Sequence, residues 1–150
     1  MSTEYATSLS QFRFGDMLVE YILATESQTI GFRLVPISMA DSLATRREFL
    51  QTHEIILMPK SSLPMRAWQV EPLVQVKLMG DPVRGFSQGI TMRNSETLSS
   101  MRFAGQDVLK GKARTEVVTT LRSERGYACE HHLFYEDGDE AITIQTVFRN

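Results

Sequence analysis

The stretch TEVVTTLRSERGYACEHHLFYEDGDEAITIQTVFRN, residues 115–150, decides the fold. Thr115 to Arg122 is rich in Val and Thr, side chains that suit a half-buried pleated surface. Ser123-Glu124-Arg125-Gly126 reads as a turn, and Tyr127 to Tyr135 as a second strand. Asp137-Gly138 supplies the backbone angles of a tight hairpin, after which Glu140 to Arg149 reads as a third strand. Three strands joined by short turns make an antiparallel meander.

The same stretch holds the residues that most resemble a reactive centre. His131 and His132 are adjacent, and successive side chains on a strand point to opposite faces, so the pair cannot ligate one ion. Cys129 and His131 share a face, but two donors fall short of the three or four that zinc requires. Glu136, Asp137, Asp139 and Glu140 flank the hairpin. Catalytic carboxylates instead face each other about 5–10 Å apart, one of them in a low-dielectric pocket. The residues read as strand and turn positions.

Working back towards the start, the pattern period stays near two. Phe12 to Thr25 reads as a strand pair broken at Gly15-Asp16, with Met17, Val19, Tyr21 and Leu23 on one face. Thr29 to Val35 is another strand, closed by Pro36, which has no N–H to donate. Within Ser38 to Glu54 the period changes: Asp41 comes early, basic residues come later, and Met39, Leu43 and Leu50 fall on one side. A short helix near residues 41–51 is expected there. MPKSSLP follows as a loop. EPLVQVKLMG, residues 71–80, alternates as a strand before the turn cluster Gly80-Asp81-Pro82. Shorter strands are expected at Gly89 to Met92, Ser100 to Ala104 and Asp107 to Leu109. Turns every 8–12 residues indicate an all-β, two-sheet antiparallel sandwich.

Composition bounds what such a domain does. One hundred and fifty residues make one ordinary domain, long enough to bury about 70% of its unfolded surface. The chain is 42% hydrophobic and 23% charged, a globular balance. Net charge is −2 and no basic run exceeds Arg46-Arg47, so nucleic acid and anionic lipid are not expected partners. One cysteine precludes an internal disulfide and fits a reducing compartment. The start, MSTEYATSLS, lacks the shape of a signal peptide, and no apolar run could span a bilayer. These features set the expectation of a cytoplasmic protein without cofactor or metal. No nucleotide-binding, nucleophile-elbow or zinc-protease spacing occurs. Trp68, in RAWQVEP, is the one candidate sugar-stacking residue, with core packing as its competing role.

Taken together, EPLVQVKLMG, MRFAGQDVLKGKAR and EVVTTLRSERGYACEHHLFYEDGDEAITIQTVFRN resemble the N-terminal domain of melibiase-type α-galactosidases, glycoside hydrolase family 36. Glu71-Pro72-Leu73, the Lys110-Gly111-Lys112 turn, Thr120-Leu121, Leu133-Phe134-Tyr135, Glu136-Asp137-Gly138-Asp139 and Ile142 to Asn150 carry the likeness, over about the last eighty residues. The first sixty-five match only as strands of the right sort. The family's Y-W-G segment is replaced by Gly31 to Pro36, and its glycine- and acid-rich loop by Met65-Arg66-Ala67-Trp68. The resemblance implies a β-supersandwich similar to galactose mutarotase domains, occupying 1–150 as one domain and forming the N-terminal fragment of a larger glycoside hydrolase. It further implies that the catalytic aspartates lie on a following (β/α)8 barrel, so no catalytic residue is assigned here. The expected partners are that barrel, other copies of the chain and α-galactoside sugars. The rival readings are a stand-alone carbohydrate-binding sandwich, a mutarotase-like enzyme working through a histidine and a carboxylate, and a protein-interaction sandwich.

Overall fold

The computed structural model describes residues 6–25, 27–39, 71–82 and 95–150. The expected helix near 41–51, the MPKSSLP loop, Trp68 and the strand at Gly89 to Met92 lie outside the described residues. Within them the chain is all-β, with two four-stranded antiparallel sheets. The first has the order β1 (Ala6–Phe14), β2 (Met17–Ala24), β3 (Ile30–Pro36) and β4 (Glu71–Pro72). The second has the order β5 (Met101–Lys110), β6 (Arg114–Ser123), β7 (Ala128–Glu136) and β8 (Thr143–Arg149). Among the described residues every neighbouring pair in each sheet is also consecutive in order, and β5 to β8 form a meander.

Alternation sets the layers. Val19 and Tyr21 of β2 join Phe14 of β1 and Ile30 of β3 in one buried cluster with Val117, Leu121, Cys129, Leu133 and Tyr135 of β6 and β7. The sheets therefore pack face to face, with their inward side chains forming the core. They touch at both ends of β2. Phe14, at the β1–β2 turn, stacks on Tyr135 near the end of β7 with ring centroids 4.8 Å apart. At the other end of β2, the Phe103 amide of β5 donates to the Gln28 carbonyl at 2.7 Å. Gln28 holds φ at 54°, a left-handed conformation in which its own side-chain amide donates to the Thr25 carbonyl. That conformation closes the β2–β3 connection around the tie to the second sheet.

Gly15 is required by its surroundings as well as by its turn. Its φ is 55°, and a Cβ there would sit 3.3 Å from the Tyr135 hydroxyl. Gly138, at the β7–β8 tip, has φ of 92° and open space around it. Gly138→Ala therefore tests backbone cost alone, and an unfolding free energy lower by about 1 kcal/mol is expected from urea titration.

Three strand expectations need correction. EPLVQVKLMG is not a strand throughout; only Glu71–Pro72 pairs, against Gly31 and Phe32. Leu73 and Val74 are both buried, so the segment turns both neighbours inward instead of alternating. The candidates at Ser100 to Ala104 and Asp107 to Leu109 are one continuous strand, β5, with a bulge between Phe103 and Gly105. The strand expected from Glu140 begins later, at Thr143.

A short helix, α1 (Glu96–Ser100), precedes β5 and had no signal in the periodicity. Ser95 caps it, its hydroxyl accepting from the Leu98 amide at 2.9 Å and donating to the Val76 carbonyl. Asp81 binds the same turn, accepting from the Thr97 hydroxyl at 2.8 Å and the Leu78 amide at 3.0 Å. These bonds fasten segment 73–82 to the start of the second sheet.

Candidate functional site

Two polar groupings flank β7, one on each face. His131 points into the sandwich at 1% exposure, and His132 points out and is half-buried. The opposite facing expected of adjacent strand residues is what the structure has.

The inner grouping is built by register. His131 lies opposite Thr119 on β6 and Thr146 on β8. From the facing sheet, Tyr21 meets its ring edge-on at 6.2 Å and Phe32 lies at 5.6 Å. Beside them, Ser10 of β1 donates to Gln106 Oε1 at 2.6 Å, and Gln106 Nε2 donates to Thr119 Oγ1 at 2.9 Å. This chain of three side chains bridges the two sheets.

Both ring nitrogens of His131 and the Tyr21 hydroxyl are buried without a hydrogen bond of full geometry among the described residues. Burial, helped by nearby His132 and opposed by its own backbone, pushes the His131 pKa down to about 4. Burial likewise raises Tyr21 well above the ordinary phenol range, although the Thr119 hydroxyl acts in the other direction. Histidine and tyrosine are therefore both neutral at pH 7. No carboxylate of the described residues faces His131, so it has no base or acid to work with on that side.

Cys129 shares the inner face with His131, as the alternation requires, and is buried. Burial, with Glu130 adding to it, pushes its thiol up to about 11. At pH 8 this leaves on the order of a hundredfold less thiolate than a free cysteine has. Reaction of the folded protein with an aromatic disulfide reagent should be slower by a similar factor than reaction in urea. Equal rates would mean that the β6–β7 region opens readily.

The outer grouping lies on the solvent face of β5–β8. His132 Nδ1 sits 2.8 Å from Glu116 Oε1 and its Nε2 is 3.5 Å from Glu130 Oε2. Arg149 holds Glu130 at 3.1 Å, and Arg149, together with His132 and against slight burial, lowers the Glu130 pKa. The His132 ring stacks on Phe134 at 5.9 Å, and the Arg114 guanidinium lies 4.3 Å above the same Phe134 ring. The arrangement is a cross-strand polar ladder in which Phe134 lies under the Arg114 guanidinium and against the His132 ring. With Arg114 on one side and His132 beside it, Phe134 is already engaged and is not a bare stacking platform.

A third polar set escaped the sequence reading. Glu20 of β2 is fully buried on the face turned away from the second sheet. Its Oε2 accepts from Arg33 Nε at 2.8 Å and Nη2 at 2.5 Å, and its Oε1 accepts from Gln11 Nε2 at 2.8 Å. Gln11, Glu20 and Arg33 are register partners across β1, β2 and β3. Burial raises the Glu20 pKa, but the bonds from Ser8, Arg33 and Gln11 outweigh it and leave the carboxyl below its ordinary value. The signal available was the pairing of opposite charges on strands already expected to be neighbours.

The acidic cluster sits at the β7–β8 tip, exposed from Glu136 to Glu140. Its role there is the turn, with the Asp139 amide donating to the Glu136 carbonyl at 3.0 Å. No group of three or more His, Cys, Asp or Glu among the described residues could hold a metal ion. No helix among them is long and apolar enough to cross a membrane. The fold and its polar groupings define a two-sheet antiparallel β-sandwich with aromatic rings and a histidine in its core. Comparison with protein-family models, with curated proteins and with solved structures gives no match.

Proposed function

We propose that this chain is a non-catalytic β-supersandwich domain of an α-galactosidase-like glycoside hydrolase, supporting a catalytic (β/α)8 barrel and supplying oligomer contacts in the cytoplasm. The observation that supports this is the placement of the segments that carry the resemblance. Lys110-Gly111-Lys112 forms the β5–β6 turn, Thr120-Leu121 lies in β6, and Leu133-Phe134-Tyr135 lies in β7. Glu136 to Asp139 forms the next tip, and Ile142 to Asn150 carries β8. Order and element type agree with what the resemblance implies over this region. Glu71-Pro72 is the exception, since it makes only a two-residue strand.

On this reading the chain alone does not hydrolyse a nitrophenyl α-galactoside, and its coding sequence continues past Asn150 into alternating strand and helix patterns. Turnover that is lost when one of its own aspartates is substituted would overturn the scaffold role. A stop codon after Asn150 would overturn the multidomain parent.

The second reading is a stand-alone sandwich that binds carbohydrate or protein. Leu109 and Ile144, both large, apolar and exposed on the second sheet, favour the protein-binding form. Titration of galactose or raffinose while following Trp68 fluorescence separates the two: a saturable shift favours sugar binding, and a flat trace removes it.

A further inference from the structure

We propose that β8 is a docking edge for a second copy of this chain, the two β8 strands pairing antiparallel to join both β5–β8 sheets into one. This goes beyond the scaffold reading and does not depend on it.

A sheet edge presents unpaired N–H and C=O groups, and proteins blunt such edges with bulges, proline, charges or short strands. Among the described residues the molecule has four edges, β1 and β4 in one sheet and β5 and β8 in the other. Three are blunted. β1 carries a bulge between Ser8 and Ser10 and a charge at Arg13. β4 is two residues long and half proline. β5 carries a bulge between Phe103 and Gly105 and three charges, Arg102, Asp107 and Lys110.

β8 has none of these devices. Its pairing with β7 runs without a register shift from Thr143 to Arg149. TIQTVF contains no charge, proline or glycine. Ile144 and Thr146 lie in line with the inward residues Leu133 and His131 of β7, yet both are exposed, Ile144 at 43%. The core face therefore continues past β7 onto β8, where Phe148 packs against Tyr127 while Ile144 and Thr146 are left uncovered by the described residues.

The sequence of β8 is complementary to itself. A two-fold axis through Thr146 sets Thr146 against its own copy and Ile144 against the second copy's Phe148, both on the core face. On the outer face Gln145 meets the second copy's Val147. Arg149, whose side chain is 62% exposed, then comes opposite the second copy's Thr143, close to the acidic tip at Asp139 and Glu140. On the core face Ile144 meets Phe148, and at the ends Arg149 comes near acidic residues, with each of these pairs occurring twice, as an isologous interface requires. A single strand pair is a small interface, so the association is reversible and concentration-dependent.

The test uses the full 150-residue chain in sedimentation equilibrium from micromolar to millimolar concentration. A monomer–dimer equilibrium is expected. Ile144→Lys, which puts a charge on the exposed core-face position, should weaken dimerisation at least about tenfold while leaving the urea midpoint of the dilute protein unchanged. In the Thr146→Cys variant, oxidation with diamide should give a covalent dimer, because residue 146 opposes itself. Ile144→Cys should not, since its own copy lies four residues away along the strand. Cys129, buried with its raised pKa, does not compete. Monomer at every concentration overturns the proposal. So does a dimer that is unaffected by Ile144→Lys, or a ladder of larger species, which would place another edge in use.

Discussion

Lowering the pH from 7 to 4 is expected to remove about 3 kcal/mol of stability through His131 alone, and His131→Phe is expected to abolish that loss. In the folded protein the His131 pKa is about 4, against an ordinary 6.5 in the unfolded chain. The depressed value means that the unfolded state takes up a proton first as the pH falls. Stability is intact above 6.5, declines between 6.5 and 4, and is flat in this respect below 4. The groups facing the imidazole are Tyr21, Phe32, Thr119 and Thr146, none of which carries a charge at these pH values. A proton placed there has no counter-charge, which is why the shift is large. Phenylalanine keeps a ring against Tyr21 and Phe32 and removes the two unbonded nitrogens. Urea midpoints at pH 7 and 5 should coincide for the variant and fall for the native protein, and the further fall to pH 4 should be larger in the native protein than in the variant. A parallel fall in both proteins would show that some other group titrates.

Glu20→Ala should cost about 3–5 kcal/mol, because it strands the Arg33 guanidinium beside a buried strand with its partner gone. Side-chain exposure at the pair is 1% for Glu20 and 12% for Arg33, so solvent offers little substitute. Arg33→Ala should cost a similar amount. The double change Glu20→Leu with Arg33→Met removes both charges and should recover most of the loss. Thermal or urea unfolding of these variants checks the pair, and a double variant as unstable as the sum of Glu20→Leu and Arg33→Met measured singly would mean that the pair does not act as a unit. The pH signature differs from that of His131. The Glu20 pKa is lowered on folding, so its contribution is present above the ordinary carboxylate value and disappears as the pH falls through the folded value. Acid sensitivity remaining in His131→Phe below about pH 4.5 comes from the carboxylates held below their ordinary values, Glu20, Asp81 and Glu130, and the part that vanishes on adding Glu20→Leu with Arg33→Met belongs to Glu20.

The second sheet was largely legible in the sequence, and the physical reason is that its strands are exposed on one side. β7 reads as strict alternation because Cys129, His131, Leu133 and Tyr135 face the core and Glu130, His132 and Phe134 face outward. Gly126 and Gly138 mark its turns with positive φ. β2 was legible only in half. Its inward face was found, but Glu20, Ile22 and Ala24 on the other face are buried as well, and no period of two reports burial on both sides. Segment 73–78 alternates in sequence yet leaves the ladder after Leu73, whose amide still donates to the Ile30 carbonyl; beyond it the Val76 carbonyl and the Leu78 amide are taken by Ser95 and Asp81. Helix α1 is too short for a period to show, and only its cap, Ser95, could have announced it. The polar groupings were half legible. Residue alternation separated His131 from His132, but the cross-sheet neighbours Tyr21 and Phe32 depend on how the layers pack, which a one-dimensional pattern does not encode.

The Ser10–Gln106–Thr119 bridge carries one further consequence. Oily layers cling strongly yet glide easily, because attraction between them has no preferred direction. A hydrogen bond does have one. The Gln106 amide, fixed at both ends, behaves as a rivet that resists shear, setting where one layer rests upon the other and leaving adhesion to the surrounding rings.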